Sequence, residues 1–537
     1  MSAPTAASLV FIGRSLNHIR VKGISSATSP ELDLLSSHLQ QLSALKFPIN
    51  SANFSRVIAS IRLSLSQTTL QQLLPLSRVI EILSLLREFF LLGKGEFAIA
   101  LITEADEKIR SRWQRSDNLA YDKRDSIGNI VVKEGEVSAV LARTWAALGS
   151  LQGQNEEQDE DDEQLELARD LVQLTIARPN ATPSKTPAST TNSAIASTPF
   201  RNLLLSVPVI LTLHIPSPLD LFLAPSDIQI YSSINAYLLS IHRAHLRLTD
   251  LWKITSLRRD HPAPPGPPYG SSTIGRNKVH TLRQRAKERS EAMRSVWATS
   301  SAAVFFLGET EAYLQGEVVQ GTWQGFKTWL TGDSLSRSTT SKSQDNDNED
   351  VWLKAAREST QTQTGIGHTH DPQTLADAHQ RYLSALSTGL LLTNSSFTDP
   401  LYHLLQQIDH LVALIHRIHS IWQSLDLEAD EGVVDAFSDF HKEEKDIKEQ
   451  LVVVAGRVKG AIEELVKSLR DVDQEKEGWD GGGFEGLGLG DEGAYIPRRV
   501  GRVDRLLMKL DFGGWFLDGK GKDEGNVECL SEGDEYD

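Results

Sequence analysis

The sequence predicts an all-α fold, elongated stacked helical bundles with disordered polar insertions, on three observations. Long segments carry apolar residues at alternating spacings of three and four, strand signals are sparse, and the segments are separated by stretches with too little apolar surface to join a core.

In chain order, the first long helix is expected over 75–90, where Pro75 suits a first turn, and the next over 95–112. Tyr231, Ile234, Leu238, Ile241, His245, Leu248 and Trp252 form a stripe on one helical face. Helices over 282–330 and 374–392 follow. A second stripe runs through Leu401, Leu404, Ile408, Leu411, Ile415, Ile418 and Trp422, and a third through Ile447, Leu451, Val454, Val458, Ile462, Leu465 and Leu469. Each stripe needs a partner surface. The segments are short and interrupted by loops, so bundles or stacked helical pairs fit better than a coiled coil. No internal repeat with a period of roughly 20–50 residues is visible, which disfavours a regular solenoid.

Between the helices, disordered insertions are expected near 153–163, 178–198, 258–280, 334–350 and 473–494, and a disordered acidic tail over 519–537. Glu156–Glu163 is nearly all acidic and reads as a solvated loop.

Composition narrows the function. A net charge of −16 and a pI near 5.5 argue against nucleic acid as the main partner, because phosphate neutralisation needs clustered Lys and Arg. One cysteine, Cys529, allows neither an intramolecular disulfide nor a multi-cysteine zinc site, which fits a reducing intracellular compartment. The longest apolar stretch, Leu203–Ile215, is broken by Pro208 and is shorter than the ~20 residues of a membrane-spanning helix. It reads as a buried segment, with no membrane insertion. Residues 1–30 lack acidic side chains and superficially match a mitochondrial transit peptide. The run Leu9–Ile12 before Gly13 reads instead as a strand or helix edge of the fold.

No catalytic constellation emerges, and no cofactor is expected. Gly93-Lys94-Gly95 and Gly519-Lys520-Gly521 lack the upstream glycine and following hydroxyl residue of a phosphate loop. His368, His370, Asp371 and His379 lie close in sequence, but the first two sit in a Gly-rich loop and His379 in the next helix, so no metal site is expected. His410, His416 and His419 form no metalloprotease pattern and read as a half-solvated flank. A basic group, His242, Arg243, Arg247, Lys253, Arg258 and Arg259, stands out on an acidic protein. Arg243 and Arg247 share a face away from the Tyr231–Trp252 stripe, where a partner's acidic surface can be met.

Phe89-Phe90-Leu91-Leu92-Gly93-Lys94-Gly95-Glu96-Phe97 resembles the "fLLGrGdf" signature of the gamma-tubulin complex component family. Mechanically it reads as a helix ended by Gly93, a short turn, and a new helix with Glu96 in its positively polarised first turn. Further elements resemble the family in the same order. They are Phe11–Ser15; 207–252 with Pro208, Tyr231, Tyr237-Leu238-Leu239, Arg243 and Trp252; 308–323 with Tyr313, Leu314, Val318 and Trp323; Ala378-His379 with Tyr382-Leu383; and Leu506-Leu507 with Leu510-Asp511-Phe512. Gly513-Gly514-Trp515-Phe516 departs from the family's closing pattern.

The resemblance implies a remnant of the amino-terminal component domain and its connecting helix over 1–50, most of that domain being absent, and a carboxy-terminal gamma-tubulin-binding helical domain over 51–518. It also implies a non-catalytic scaffold for microtubule nucleation, with gamma-tubulin and other complex components as partners, in the cytoplasm and cytoskeleton at the microtubule-organising centre or spindle pole body. His379 would then pack rather than ligate. Lys94, Arg243 and Arg247 are the hypothesised contacts to an acidic tubulin surface, while Phe97, Trp252 and Trp323 are expected in the core. A helical-rod tether of vesicle trafficking, with membrane or small-GTPase partners, is the competing class.

Overall fold

The computed structural model describes residues 3–21, 36–38, 40–44, 51–65, 75–119, 133–152, 159–177, 199–216, 218–254, 272–331, 372–431, 439–477, 495–497 and 503–512. The fold is all-α. Its helices are α1 (Ala3–Val21), α2 (Ser51–Leu65), α3 (Leu76–Leu85), α4 (Gly95–Leu119), α5 (Glu134–Gln152), α6 (Asp159–Leu171), α7 (Pro225–Asp250), α8 (Thr273–Ala312), α9 (Gln320–Thr331), α10 (Pro372–Gly389), α11 (Ser395–Glu431), α12 (Phe440–Glu477) and α13 (Asp504–Phe512). π-Helical turns over Leu86–Phe90 and Tyr313–Val319 follow α3 and α8, so the helix expected over 282–330 starts earlier and changes hydrogen-bond pitch near its end.

The chain divides into two compact units, Met1–Arg247 with Glu311–Gln406 and Gly483–Val500, and Leu248–Thr310 with Gln407–Gly482 and Gly501–Asp537. In the first, α7 is buried on nearly every face, not along one stripe. Tyr231, Ile234 and Tyr237 are inaccessible to water, and so are the small polar residues Ser232, Ser233 and Asn235. Pro225 opens the helix with its φ already set, and Asp227 Oδ2 accepts the Ala224 N–H at 3.0 Å, satisfying a donor the helix leaves free. Beside it lies an antiparallel pair, β1 (Val172–Ile176) and β2 (Val209–Leu213), in register Val172 to Leu213 and Ile176 to Val209. Val209, Leu211 and Leu213 alternate inward, and the Ser232 hydroxyl donates to the Leu211 carbonyl.

In the second unit the remaining two stripes do what their spacing predicts. Ile408, Leu411, Ile415 and Ile418 on α11 and Ile447, Leu451, Val454, Val458, Ile462, Leu465 and Leu469 on α12 are all buried. Ion pairs tie the helices at their margins: Arg289 and Arg285 of α8 to Asp426 of α11, Arg417 of α11 to Glu443 of α12, Arg470 of α12 to Asp511 of α13, and Lys509 of α13 to Glu309 of α8.

Several expectations are corrected. The backbone of Asp159–Glu163 belongs to α6 instead of a loop, because the helix period of the segment that follows extends back through it. Likewise 273–280 belongs to α8 and 473–477 to α12. The rest of the expected insertions, 153–158, 178–198, 258–271, 334–350 and 478–494, and the tail 519–537 lie outside the described residues. Leu9–Ile12 lies within α1, which packs against α2 through Thr5 and Ser55 at 2.9 Å. Trp252 is not core: it follows the end of α7 and is 48% exposed, whereas Phe97 and Trp323 are buried as expected. No helix among the described residues is long and apolar enough to cross a membrane.

Candidate partner-binding site

The site is built around the helix–helix corner at 86–97. A helix end leaves backbone carbonyls without partners, and buried carbonyls need donors from elsewhere. Here Asn235, from the middle of α7, gives both amide hydrogens to this end, one to Phe89 O at 3.2 Å and one to Phe90 O at 3.0 Å. Gln315 Nε2 donates to Leu91 O at 3.2 Å, and Arg87 reaches Gln320 at 2.7 Å while lying over the Trp323 ring. Phe89, Phe97 and Trp145 pack ring on ring below, with centroids 5.1–5.5 Å apart.

The corner's glycine has a different task from the one the sequence suggested. The left-handed residue is Leu92, at φ 58°, while Gly93 is the point where the chain presses back on the π turn. A Cβ at Gly93 would stand 3.0 Å from Glu88 Cα and 3.1 Å from Arg87 O, both backbone. The Gly93 N–H bonds Arg87 O at 3.2 Å and the Lys94 N–H bonds Glu88 O at 2.9 Å, which fixes that approach. Gly93→Ala is therefore expected to cost about 1–3 kcal/mol, read as a lower urea midpoint with unchanged far-UV signal.

The three sequence-predicted contacts are not gathered into one patch. Arg243 is buried, and its Nε reaches Asp106 Oδ1 at 3.1 Å; Arg247, half-buried one turn on, donates from Nε to Asp106 Oδ2 at 3.0 Å. The carboxylate of α4 thus clamps two turns of α7, and neither guanidinium is a free surface charge. Lys94 takes no part in this cluster and stands half-exposed at the corner.

Two further clusters complete the surroundings of α7. His379 is wholly buried, its Nε2 3.0 Å from the Tyr231 hydroxyl, stacked on Tyr231 and flanked by Phe222, Phe326 and Tyr382. It packs, as the resemblance implied; the other members of the histidine group, 368, 370 and 371, lie outside the described residues. Among the described residues no group of side chains is placed to hold a metal ion.

Glu311 bridges His242 Nδ1 at 2.5 Å and His245 Nδ1 at 2.9 Å. Burial alone would raise its pKa, but the hydrogen bonds and charges of the two imidazoles outweigh that and hold it down at about 2, from 4.5. A depressed carboxyl pKa stabilises the fold above the unfolded value and loses that contribution as pH falls from about 4.5 towards about 2. The stability gap between the parent chain and Glu311→Gln should accordingly be widest above pH ~5 and narrow steadily in urea titrations at lower pH.

Residues 80–516, which contain the corner, the clamp and both histidine clusters, match a family model described as "Gamma tubulin complex component C-terminal". The chain belongs to the gamma-tubulin complex component family. Comparison with curated proteins gives no match. The family's members are structural scaffolds, not enzymes, associated with the cytoskeleton and microtubule-organising centres, and this chain takes a gamma-tubulin complex component role. That assignment does not favour a vesicle tether. Four of the sequence elements that resembled the family beside the corner, at 207–252, 308–323, 378–383 and 506–512, fall inside the matched residues, whereas Phe11–Ser15 falls outside them.

Sequence reasoning missed Asp106, Asn235, Gln315 and Glu311. Asn235 had a signal: an amide amid the apolar run Ile234, Tyr237, Leu238, Leu239 is too polar for a core unless it caps something.

Proposed function

We propose that this gamma-tubulin complex component binds gamma-tubulin through the helical domain over 51–518 and supports microtubule nucleation at spindle poles during mitosis, alongside other components of the complex. The family match over 80–516 is the observation that carries this reading. The Gly93-Lys94-Gly95-Glu96 variant and the long polar insertions favour a component 4 of fungal type.

The mechanism is templating. Nucleation is slow because a lateral cluster of tubulins must form before its contacts repay the lost translational and rotational freedom, and a scaffold that fixes the spacing removes that cost in advance. No bond is made or broken by this chain.

Lys94 and Arg247 are the proposed contacts to an acidic tubulin surface, and Arg243 supports Arg247 from within the fold. Lys94 and Arg247 keep accessible surface, and Arg243 contributes by holding Asp106 and so placing Arg247. Charge reversal at Arg243 would report on folding more than on contact. Lys94→Glu is the informative variant: an affinity for gamma-tubulin reduced about tenfold at low salt, with the difference fading at high salt, is expected. An affinity equal to that of the parent chain would remove Lys94 from the interface. In cells, a fluorescent fusion is expected as discrete spots at spindle poles; a vesicular distribution would favour the tether.

A further inference from the structure

We propose that the exposed basic stripe on the first half of α8 is a docking surface for the chain's own acidic segment 523–537. Arg276, His280, Arg283, Lys287 and Arg294 recur at three- and four-residue spacing, so they line one face of α8, and all are exposed. One carboxylate, Glu291, interrupts the stripe, with Lys287 at 3.9 Å. The cations on the other side of the same helix are engaged differently: Arg285 and Arg289 bind Asp426, and Arg289 also covers the Trp422 ring. Arg276, Arg283 and Arg294 have no ion-pair partner among the described residues. A row of exposed cations, three of them without an ion-pair partner among the described residues, on a chain of net charge −16 calls for an acidic occupant.

The segment 523–537 supplies one, with seven Asp and Glu and no Lys or Arg. Its tether starts close by, because Lys509 of α13 meets Glu309 of α8 at 3.3 Å. From Glu309 back to Arg294 is about 22 Å along the helix, and to Arg283 about 39 Å, at ~1.5 Å per residue. The link from Phe512 to Asp523 spans up to about 36 Å when extended, and the acidic segment itself adds more. Tethering at this length gives an effective concentration of order millimolar, so weak charge pairing suffices for occupancy.

Cys529, the single cysteine, lies within the segment and takes one thiol-reactive fluorophore. In the full chain, its fluorescence anisotropy is expected to be raised at ~0.05 M salt and to fall as salt rises to ~0.5 M, where screening removes such pairing. In the triple variant Arg283→Glu, Lys287→Glu, Arg294→Glu it is expected to be low and independent of salt. All three positions are exposed, and a far-UV spectrum equal to the parent's confirms that the variant is folded. A carbodiimide, which couples amines to carboxylates, should link Lys287 to a residue of 523–537 in the parent chain. Anisotropy that is already low and flat in the parent chain would overturn the proposal and leave the stripe to an acidic partner protein. A raised value that the triple variant retains would overturn it in favour of another docking place. A raised value that disappears on dilution would assign the contact to a second copy of the chain and overturn it as well.

Discussion

Asp106→Ala is expected to lower stability by about 3–5 kcal/mol, because it removes the carboxylate that faces a buried guanidinium. Arg243 is only 5% exposed, and both it and Arg247 direct Nε at the two oxygens of this one group. A guanidinium at such depth that loses the carboxylate facing it costs more than the pair contributes, so the effect should be strongly non-additive. The double variant Asp106→Leu, Arg243→Leu is expected to recover most of the loss, and the urea midpoints of the single and double variants measure the coupling. A single-variant cost under about 1 kcal/mol would mean that water reaches the clamp and that α4 and α7 are held by apolar contact alone.

Asn235→Asp is expected to be nearly as damaging, at about 3 kcal/mol or more, with almost no change in shape. The asparagine amide donates to the carbonyls of Phe89 and Phe90; a carboxylate there offers acceptors to acceptors in a water-free setting. Asn235→Ala, which leaves the two carbonyls without that donor but adds no charge, should cost about 1–3 kcal/mol. The ordering Asp worse than Ala, by more than the roughly 0.7 kcal/mol that helix propensity supplies in the same direction, is the diagnostic result, because size alone predicts the reverse. Hydrogen exchange at the corner, read through the amides of Leu91, Gly93 and Lys94, should accelerate in both variants.

Both predictions concern residues that the sequence left unremarked, and the reason is physical. The apolar stripes on α11 and α12 were legible because the helix period of 3.6 ties spacing to a face directly. The corner was legible because Gly93 and the flanking aromatics form one contiguous signature, even though the left-handed position turned out to be Leu92. Asp106 was not, since it meets Arg243 and Arg247 from 137 and 141 residues away, and no local rule couples positions so distant. Arg243 and Arg247 therefore read as a free surface pair, when Asp106 of α4 engages both and Arg243 is buried. Trp252 was misplaced because a stripe extrapolated one step past the end of a helix loses its meaning, and α7 ends at Asp250. The two strands were passed over although Val172-Gln-Leu-Thr-Ile176 and Val209-Ile-Leu-Thr-Leu213 are rich in β-branched residues and the second lies between Pro208 and Pro216, a strand signal weakened by its brevity. The backbone of Asp159–Glu163 shows the opposite error, where composition suggested a loop and the segment is helical.

These results fit a scaffold. The conspicuous polar groups of the first unit, Asp106 with its two arginines, Asn235 with its two carbonyls and Glu311 with its two imidazoles, fix helices to one another around α7, and the buried histidine is stacked among aromatic rings. Such a body suits holding a partner in a fixed place, and gamma-tubulin is the proposed partner. Size-exclusion chromatography of the purified full chain mixed with gamma-tubulin decides the matter. Co-elution as a complex at ~0.1 M salt, weakened at ~0.5 M, is the predicted result. Separate elution at both salts, from a chain that shows a helical far-UV spectrum and a cooperative urea transition, would contradict the proposal that this chain holds gamma-tubulin.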